Sequence, residues 1–204
     1  MTIADQPFGD LLDGLASKAP TPGGGAVAGM TAATAAATAE MVVAYSVDKK
    51  SLVSFRDQNL EAQQRLQAWR HEALHLADAD AQAYSTLNRL WKLPKDDADR
   101  VANWTAAVDA AIAAPQGVLT LCTALAECLD ELATTTNPML ASDLAIAAIL
   151  TSSAASCATW NVRVNLPLLD DQTRATALDA ACSRSTNTIQ ALVESIEQCC
   201  RRDT

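Results

Sequence analysis

The sequence predicts an all-α domain, a bundle of long helices in up-down or orthogonal packing, and three observations predict it. Half of the 204 residues are hydrophobic yet only 4% are aromatic, and alanine dominates, which suits closely packed helices better than sheets. Runs of β-branched residues with alternating polarity are absent. Apolar residues instead recur at helical spacing over long stretches separated by Pro- or Gly-marked loops. The length fits a single domain over 1–204 that can bury a substantial core.

Taken in order, Phe8, Leu11, Leu12 and Leu15 predict a short first helix ending near Lys18. A Pro/Gly loop follows, then a helix from about Ala26 to Val47, lined with Ala, Thr and Gly29 so that its neighbours come close. A long third helix covers about Leu52 to Leu90 and is closed before Pro94, which disfavours helical geometry at the residue ahead of it. The fourth runs from near Ala98 to about Leu132, with a break or kink expected at Pro115. After a loop at Thr134 to Pro138, Met139 to about Asn165 is apolar all round, as a central helix would be. Leu166-Pro167 interrupts it, and an amphipathic helix from about Asp171 to Cys200 ends the bundle.

Composition excludes some functions. A net charge of -9 and a pI near 4.6 argue against a nucleic-acid partner, because neutralising phosphates needs clustered Lys and Arg. Six cysteines without a CxxC pair, four of them inside helical stretches, read as reduced thiols of a cytoplasmic protein. No secretory signal pattern opens the chain. Ala26 to Val47 and Met139 to Trp160 have the length of membrane spans, but each holds a carboxylate, Glu40 and Asp143, and many Thr, Ser and Ala. Central carboxylates are costly in lipid, so both are expected as buried helices and no membrane partner is expected.

The run Ala19-Pro20-Thr21-Pro22-Gly23-Gly24-Gly25-Ala26 holds three of the seven glycines just ahead of a long helix. A helix start needs only one Ser, Thr or Asp cap. Bare glycines there permit a ligand to approach the backbone N–H groups of the helix N-terminus; a rigid turn into a tightly packed helix is the alternative. In the third helix, Leu66, Trp69, Ala73, Leu76, Ala83, Tyr84 and Leu87 form one apolar stripe with Asp80 near its middle. A carboxylate facing a core either finds hydrogen bonds or has its pKa raised. It can therefore be a general acid/base, or simply an Asp bonded to a neighbouring helix end or Lys.

On the same helix, His71-Glu72-Ala73-Leu74-His75 matches HExxH, where two histidines one turn apart can bind zinc. They fall on the face opposite Asp80, with Asp78 and Gln82, and no third ligand offers itself. No metal site is expected. Ser142 and Asp143 stand in the apolar run of the fifth helix, followed by Asn161 and Asn165 at i, i+4 spacing. Such polar groups serve either a register-fixing network or a ligand pocket. Lys49-Lys50 and Lys92/Lys95 are the basic points of an acidic chain, able to attract an anionic substrate or to snorkel from helix ends.

These pieces carry a resemblance. Leu11-Leu12-Asp13-Gly14-Leu15-Ala16-Ser17, the Pro-Thr-Pro-Gly-Gly-Gly loop, Asp78-Ala79-Asp80-Ala81-Gln82-Ala83-Tyr84, Lys92-Leu93-Pro94-Lys95, Ser142-Asp143 and Asn161-Val162-Arg163-Val164-Asn165-Leu166 occur in that order over almost the whole chain. Together the chain resembles the cyclodeaminase/cyclohydrolase family, which includes the C-terminal domain of formiminotransferase-cyclodeaminase and stand-alone bacterial methenyltetrahydrofolate cyclohydrolases. The resemblance implies an all-α homodimer with a folate site near the Gly-rich loop and Asp80 as general acid/base. It implies a substrate pocket drawing on Pro22, Gly23, Gly24, Gly25, Lys49, Lys92, Lys95, Ser142, Asp143, Asn161 and Asn165. The implied activity is hydrolysis of 5,10-methenyltetrahydrofolate to 10-formyltetrahydrofolate. Ammonia-releasing cyclodeamination of 5-formiminotetrahydrofolate, or a non-catalytic folate-binding scaffold, is the alternative. No cofactor is implied, since the tetrahydrofolate derivative is the substrate. No formiminotransferase domain is fused in the sequence as it stands, which favours the hydrolytic reaction.

Overall fold

Six α-helices and no strand form among the described residues, 2–202, of the computed structural model. Met1, Asp203 and Thr204, the outermost residues of the expected 1–204 domain, lie outside the described residues. The helices are α1 (Phe8–Ala16), α2 (Gly24–Val47), α3 (Arg56–Trp91), α4 (Ala98–Leu132), α5 (Ala141–Asn165) and α6 (Gln172–Arg202). In packing order, α2, α3, α4 and α5 form a ring of four in which each touches the next, and α6 lies along α4 and α5.

The alanines of α2 make this ring tight. Ala28, Ala32, Ala35, Ala36 and Ala39 are fully buried. At Gly29 an added Cβ would stand 2.7 Å from the Ala73 carbonyl oxygen and 2.8 Å from the Ala77 Cβ, so α2 and α3 meet at a distance that only glycine permits there. Leu66, Leu87, Leu90, Ile112, Leu125 and Leu129 fill the interior between the helices. A smaller cluster of Ile3, Leu11, Ala26 and Ala77 docks the N-terminal segment on α2 and α3.

Several expected boundaries shift for physical reasons. α2 begins at Gly24 rather than Ala26, with extended Gly23 as its N-cap. α3 begins at Arg56 rather than Leu52, because Lys50–Phe55 winds as a 3-10 segment. The fourth helix does not break at Pro115: α4 is continuous from Ala98 to Leu132, started by Asp97, whose side chain accepts from the Asp99 and Arg100 N–H groups. α5 is not covered all round, since Ile146, Ile149, Trp160 and Val164 are exposed on its outer side. Three segments, Gly24–Val47, Ala98–Leu132 and Pro138–Leu168, are long and apolar enough to cross a membrane by length and composition; in this fold they pack against one another. No disulfide joins any of the six cysteines among the described residues.

The ring sorts residues to two ends. The start of α2, the last turns of α3, the early turns of α4 and the end of α5 share one end, as the cavity described below requires. At the other, Asn59 donates to the Thr135 carbonyl at 2.9 Å and the Asn137 N–H donates to Ser46 Oγ at 2.9 Å.

Candidate active site

The glycine loop enters α2 without a side-chain cap of its own. The missing acceptor comes from another helix: the Ala26 N–H, one of the first-turn donors that a helix leaves unpaired, bonds to the carboxyl of Asp80 on α3. The approach is close. A Cβ on Gly25 would lie 2.1 Å from the Asp80 Cγ and Oδ1, so Gly25 is a glycine because the carboxyl occupies that space. Asp80 thus caps a neighbouring helix and lines an open cavity at once.

That cavity has a volume of about 360 Å³, within the range of small-molecule sites. Its floor and one wall are Thr21, Gly23, Gly24, Gly25 and Asp80. Asn161, Val164 and Asn165 of α5 and Ala111 of α4 face them, and Tyr84 and Trp91 of α3 close the side toward the α3–α4 turn. Burial pushes the Asp80 carboxyl up to about 6, against the lowering effect of the Ala26 N–H bond. A carboxyl of that pKa holds or releases a proton near neutrality, as a general acid/base must.

The amides are held from behind. Asn161 Nδ2 donates to the Cys157 carbonyl at 2.8 Å. Asn165 Nδ2 donates to the Asn161 carbonyl at 2.9 Å and across to the Ala111 carbonyl at 3.0 Å. The last bond accounts for the unbroken α4. Pro115 has no N–H for the Ala111 carbonyl one turn earlier, and Asn165 supplies the donor instead.

Of the sequence-derived site residues, the structure brings together Gly23, Gly24, Gly25, Asp80, Asn161 and Asn165. Pro22 does not line the cavity; its ring lies toward Gly14, where a Cβ would meet Pro22 Cδ at 3.6 Å. Lys92 and Lys95 stand exposed on the turn beyond Trp91, outside the lining. Lys49 donates to Asn137 Oδ1, and Ser142 and Asp143 open α5; all three lie at the far end of the bundle. The 24 residues of α2 separate the two ends by about 36 Å at helical rise. Asp78, placed by the sequence on the face of His71 and His75, is half-buried and accepts the Ile3 N–H at 2.9 Å. His71 and His75 are exposed, and no group of three or more potential metal ligands forms among the described residues. Sequence reasoning missed Thr21, Ala111, Val164 and Trp91 as lining residues and placed Tyr84 in the core. The available signal was spacing: Tyr84 is one helical turn beyond Asp80, and Trp91 sits two further turns along the same face.

Known proteins share this fold. A profile of the family described as formiminotransferase-cyclodeaminase matches residues 7–184. The chain belongs to that family. Among its relatives, the methenyltetrahydrofolate cyclohydrolase of Methylorubrum extorquens is 29% identical over 166 residues, which is 79% of this chain and 80% of that protein. The formimidoyltransferase-cyclodeaminase of Sus scrofa is 30% identical over 83% of this chain, which spans only 32% of that longer protein. The crystal structure of formiminotetrahydrofolate cyclodeaminase from Thermotoga maritima superposes with a TM-score of 0.89 at 25% identity, covering 98% of each chain.

Proposed function

We propose that the chain is a folate-dependent one-carbon enzyme that hydrolyses 5,10-methenyltetrahydrofolate to 10-formyltetrahydrofolate. The observation that carries this reading is Asp80, a carboxyl raised to about 6 in a cavity walled by glycine backbone and two asparagines. Water adds to the cationic methenyl carbon while ionised Asp80 takes its first proton. The carbinolamine then collapses: its hydroxyl proton leaves to solvent, the C–N5 bond breaks, and protonated Asp80 returns its proton to N5. The reaction calls for no metal or redox cofactor, because the substrate already carries the positive charge that activates its carbon. Loss of methenyl absorbance on adding protein, compared with Asp80→Asn, tests the reading. The expected loss of kcat is roughly 100- to 10,000-fold; wild-type protein that matches buffer hydrolysis overturns it.

Cyclodeamination is the second reading, favoured by the likeness to the Thermotoga maritima protein over its full length. There N10 attacks the formimino carbon of 5-formiminotetrahydrofolate and Asp80 protonates the departing ammonia. Ammonia release separates the two.

We also propose a homodimer across the outer face of α5. Trp160 is 71% and Val164 68% exposed, with Ile146 and Ile149 on the same side, a stripe longer than a monomer normally leaves to water. Two such helices crossing antiparallel about Ser153 set Ile146 against the partner's Trp160. They also bring the partner's Ser142 and Asp143 beside Val164 at the cavity mouth, where the family resemblance expects them. Ile149→Glu/Trp160→Glu would then run as a monomer with impaired turnover. The remaining expectations belong to the same reading: a cytoplasmic enzyme whose cysteines form no disulfide among the described residues, as suits a reducing compartment, whose net charge of -9 disfavours nucleic acid, and which works away from membranes.

A further inference from the structure

The following rests on the folate reading above and concerns which way the substrate lies. The cavity has two chemically different ends. At one, Asn161, Asn165 and the Gly23–Gly25 backbone offer uncharged donors and acceptors. At the other, Trp91 is 45% exposed while lining the cavity. Helical side chains lean toward the helix N-terminus, so the indole reaches from the end of α3 back toward Tyr84 and Asp80.

Trp91 is fixed from behind. It meets Trp104 edge-on, with centroids 6.0 Å apart and planes at 69°, and the Arg100 guanidinium lies 4.5 Å from the Trp104 ring centroid. The same guanidinium donates to the Leu93 carbonyl at 2.7 Å and to the Trp91 carbonyl at 3.4 Å. Arg100 is thus engaged as a clamp on the turn. Lys92 and Lys95, on that turn, are exposed and form no ion pair among the described residues.

A reduced folate has the matching asymmetry. On one side of the reacting carbon is the pterin, with a neutral amide edge; on the other, N10 carries a benzoyl ring and then the glutamate carboxylates. We infer that the p-aminobenzoylglutamate arm runs toward the α3–α4 turn, its benzoyl ring stacked on Trp91 and its carboxylates met by Lys92 and Lys95, with the pterin edge at the Asn161/Asn165 end. Trp91 is a binding residue in this arrangement, and Trp104 and Arg100 are positioning residues for it. Uncharged amides suit a neutral heterocycle, and cations beside an aromatic plate suit an aryl dicarboxylate.

The test compares 5,10-methenyltetrahydrofolate with an analogue whose benzoyl group ends in a neutral carboxamide instead of glutamate. For Lys92→Ala/Lys95→Ala, KM for the folate rises roughly three- to fivefold per lysine, KM for the carboxamide stays put, and kcat is kept. Trp91→Ala raises KM for both about tenfold, and Trp91→Phe restores most of the loss. Quenching of tryptophan fluorescence by substrate is lost in Trp91→Phe and persists in Trp104→Phe, which itself raises KM without lowering kcat. Lysine variants that affect both ligands equally, or neither, overturn the orientation while wild-type turnover leaves the folate reading standing. Wild-type protein that neither binds nor converts either ligand overturns both.

Discussion

The Asp80 carboxyl occupies the space where a side chain on Gly25 would begin: a Cβ there would stand 2.1 Å from Asp80 Cγ. The clash is with a branched carboxyl that also caps Ala26, so it cannot be relieved by a small rotation. Gly25→Ala is therefore expected to displace the acid and overpack the α2–α3 contact. Overpacking of this kind costs about 1–3 kcal/mol, and a displacement of the acid near 1 Å lowers turnover about 100-fold. Gly9→Ala, where nothing lies within 4 Å, is the matched control and should keep full activity. Urea unfolding and the absorbance assay on both variants check this.

The raised pKa of Asp80 sets opposite pH trends for stability and turnover. Its folded value is about 6 against an ordinary 3.8, so between those values the folded state holds a proton that the unfolded chain releases. Stability from this group is full below about 4 and falls as pH rises through about 6. Asp80→Asn, which keeps an acceptor for the Ala26 N–H and never ionises, should gain on wild type across that window and hold a constant advantage above it. Turnover should climb over the same range, because the ionised carboxylate takes the proton from water. Denaturation midpoints and kcat/KM measured against pH give the two curves, and parallel curves would contradict the assignment.

Periodicity made the fold legible because each long helix has one side packed on alanine and leucine and few competing signals. Asp80 was legible for the same reason, as a charge inside an apolar stripe. What failed were inferences that needed three dimensions. Pro115 reads as a breaker, and only the Asn165 amide, from a helix 50 residues away in the chain, keeps the Ala111 carbonyl satisfied. Ser142 and Asp143 follow the family motifs in order and Lys49 is a basic point of an acidic chain, yet a linear sequence does not say which end of the bundle each occupies. The all-round apolar character of α5 reads the same whether its outer side meets its own chain or another surface. Trp91 carries no site signal in the sequence, because its neighbour Trp104 lies across the next turn.

The HExxH stretch tests the opposite kind of inference, a motif with no structural support. His71, Glu72 and His75 are all exposed on the side of α3 away from the cavity. His71→Ala and His75→Ala should leave stability within about 0.5 kcal/mol and turnover unchanged, and prolonged chelation should remove no activity. A tightly bound zinc whose loss with His71→Ala abolishes turnover would contradict this; metal analysis of purified protein and the two assays decide it.

Pro115 and Asn165 can be separated by a double-mutant cycle, since they act on one carbonyl. Asn165→Leu removes the donor and leaves the buried Ala111 oxygen without a partner, at a cost of about 1–3 kcal/mol. Pro115→Ala restores an N–H at the helical position for that oxygen, so Asn165→Leu should be much less damaging in the Pro115→Ala background. Turnover should not be rescued, because Asn165 also lines the cavity and its amide oxygen is lost in both variants. Chemical denaturation of the four proteins gives the coupling energy, which should approach the cost of the single Asn165→Leu change. Additive effects would mean that the Asn165 amide supports α4 by another route, and rescued turnover would remove Asn165 from the substrate wall.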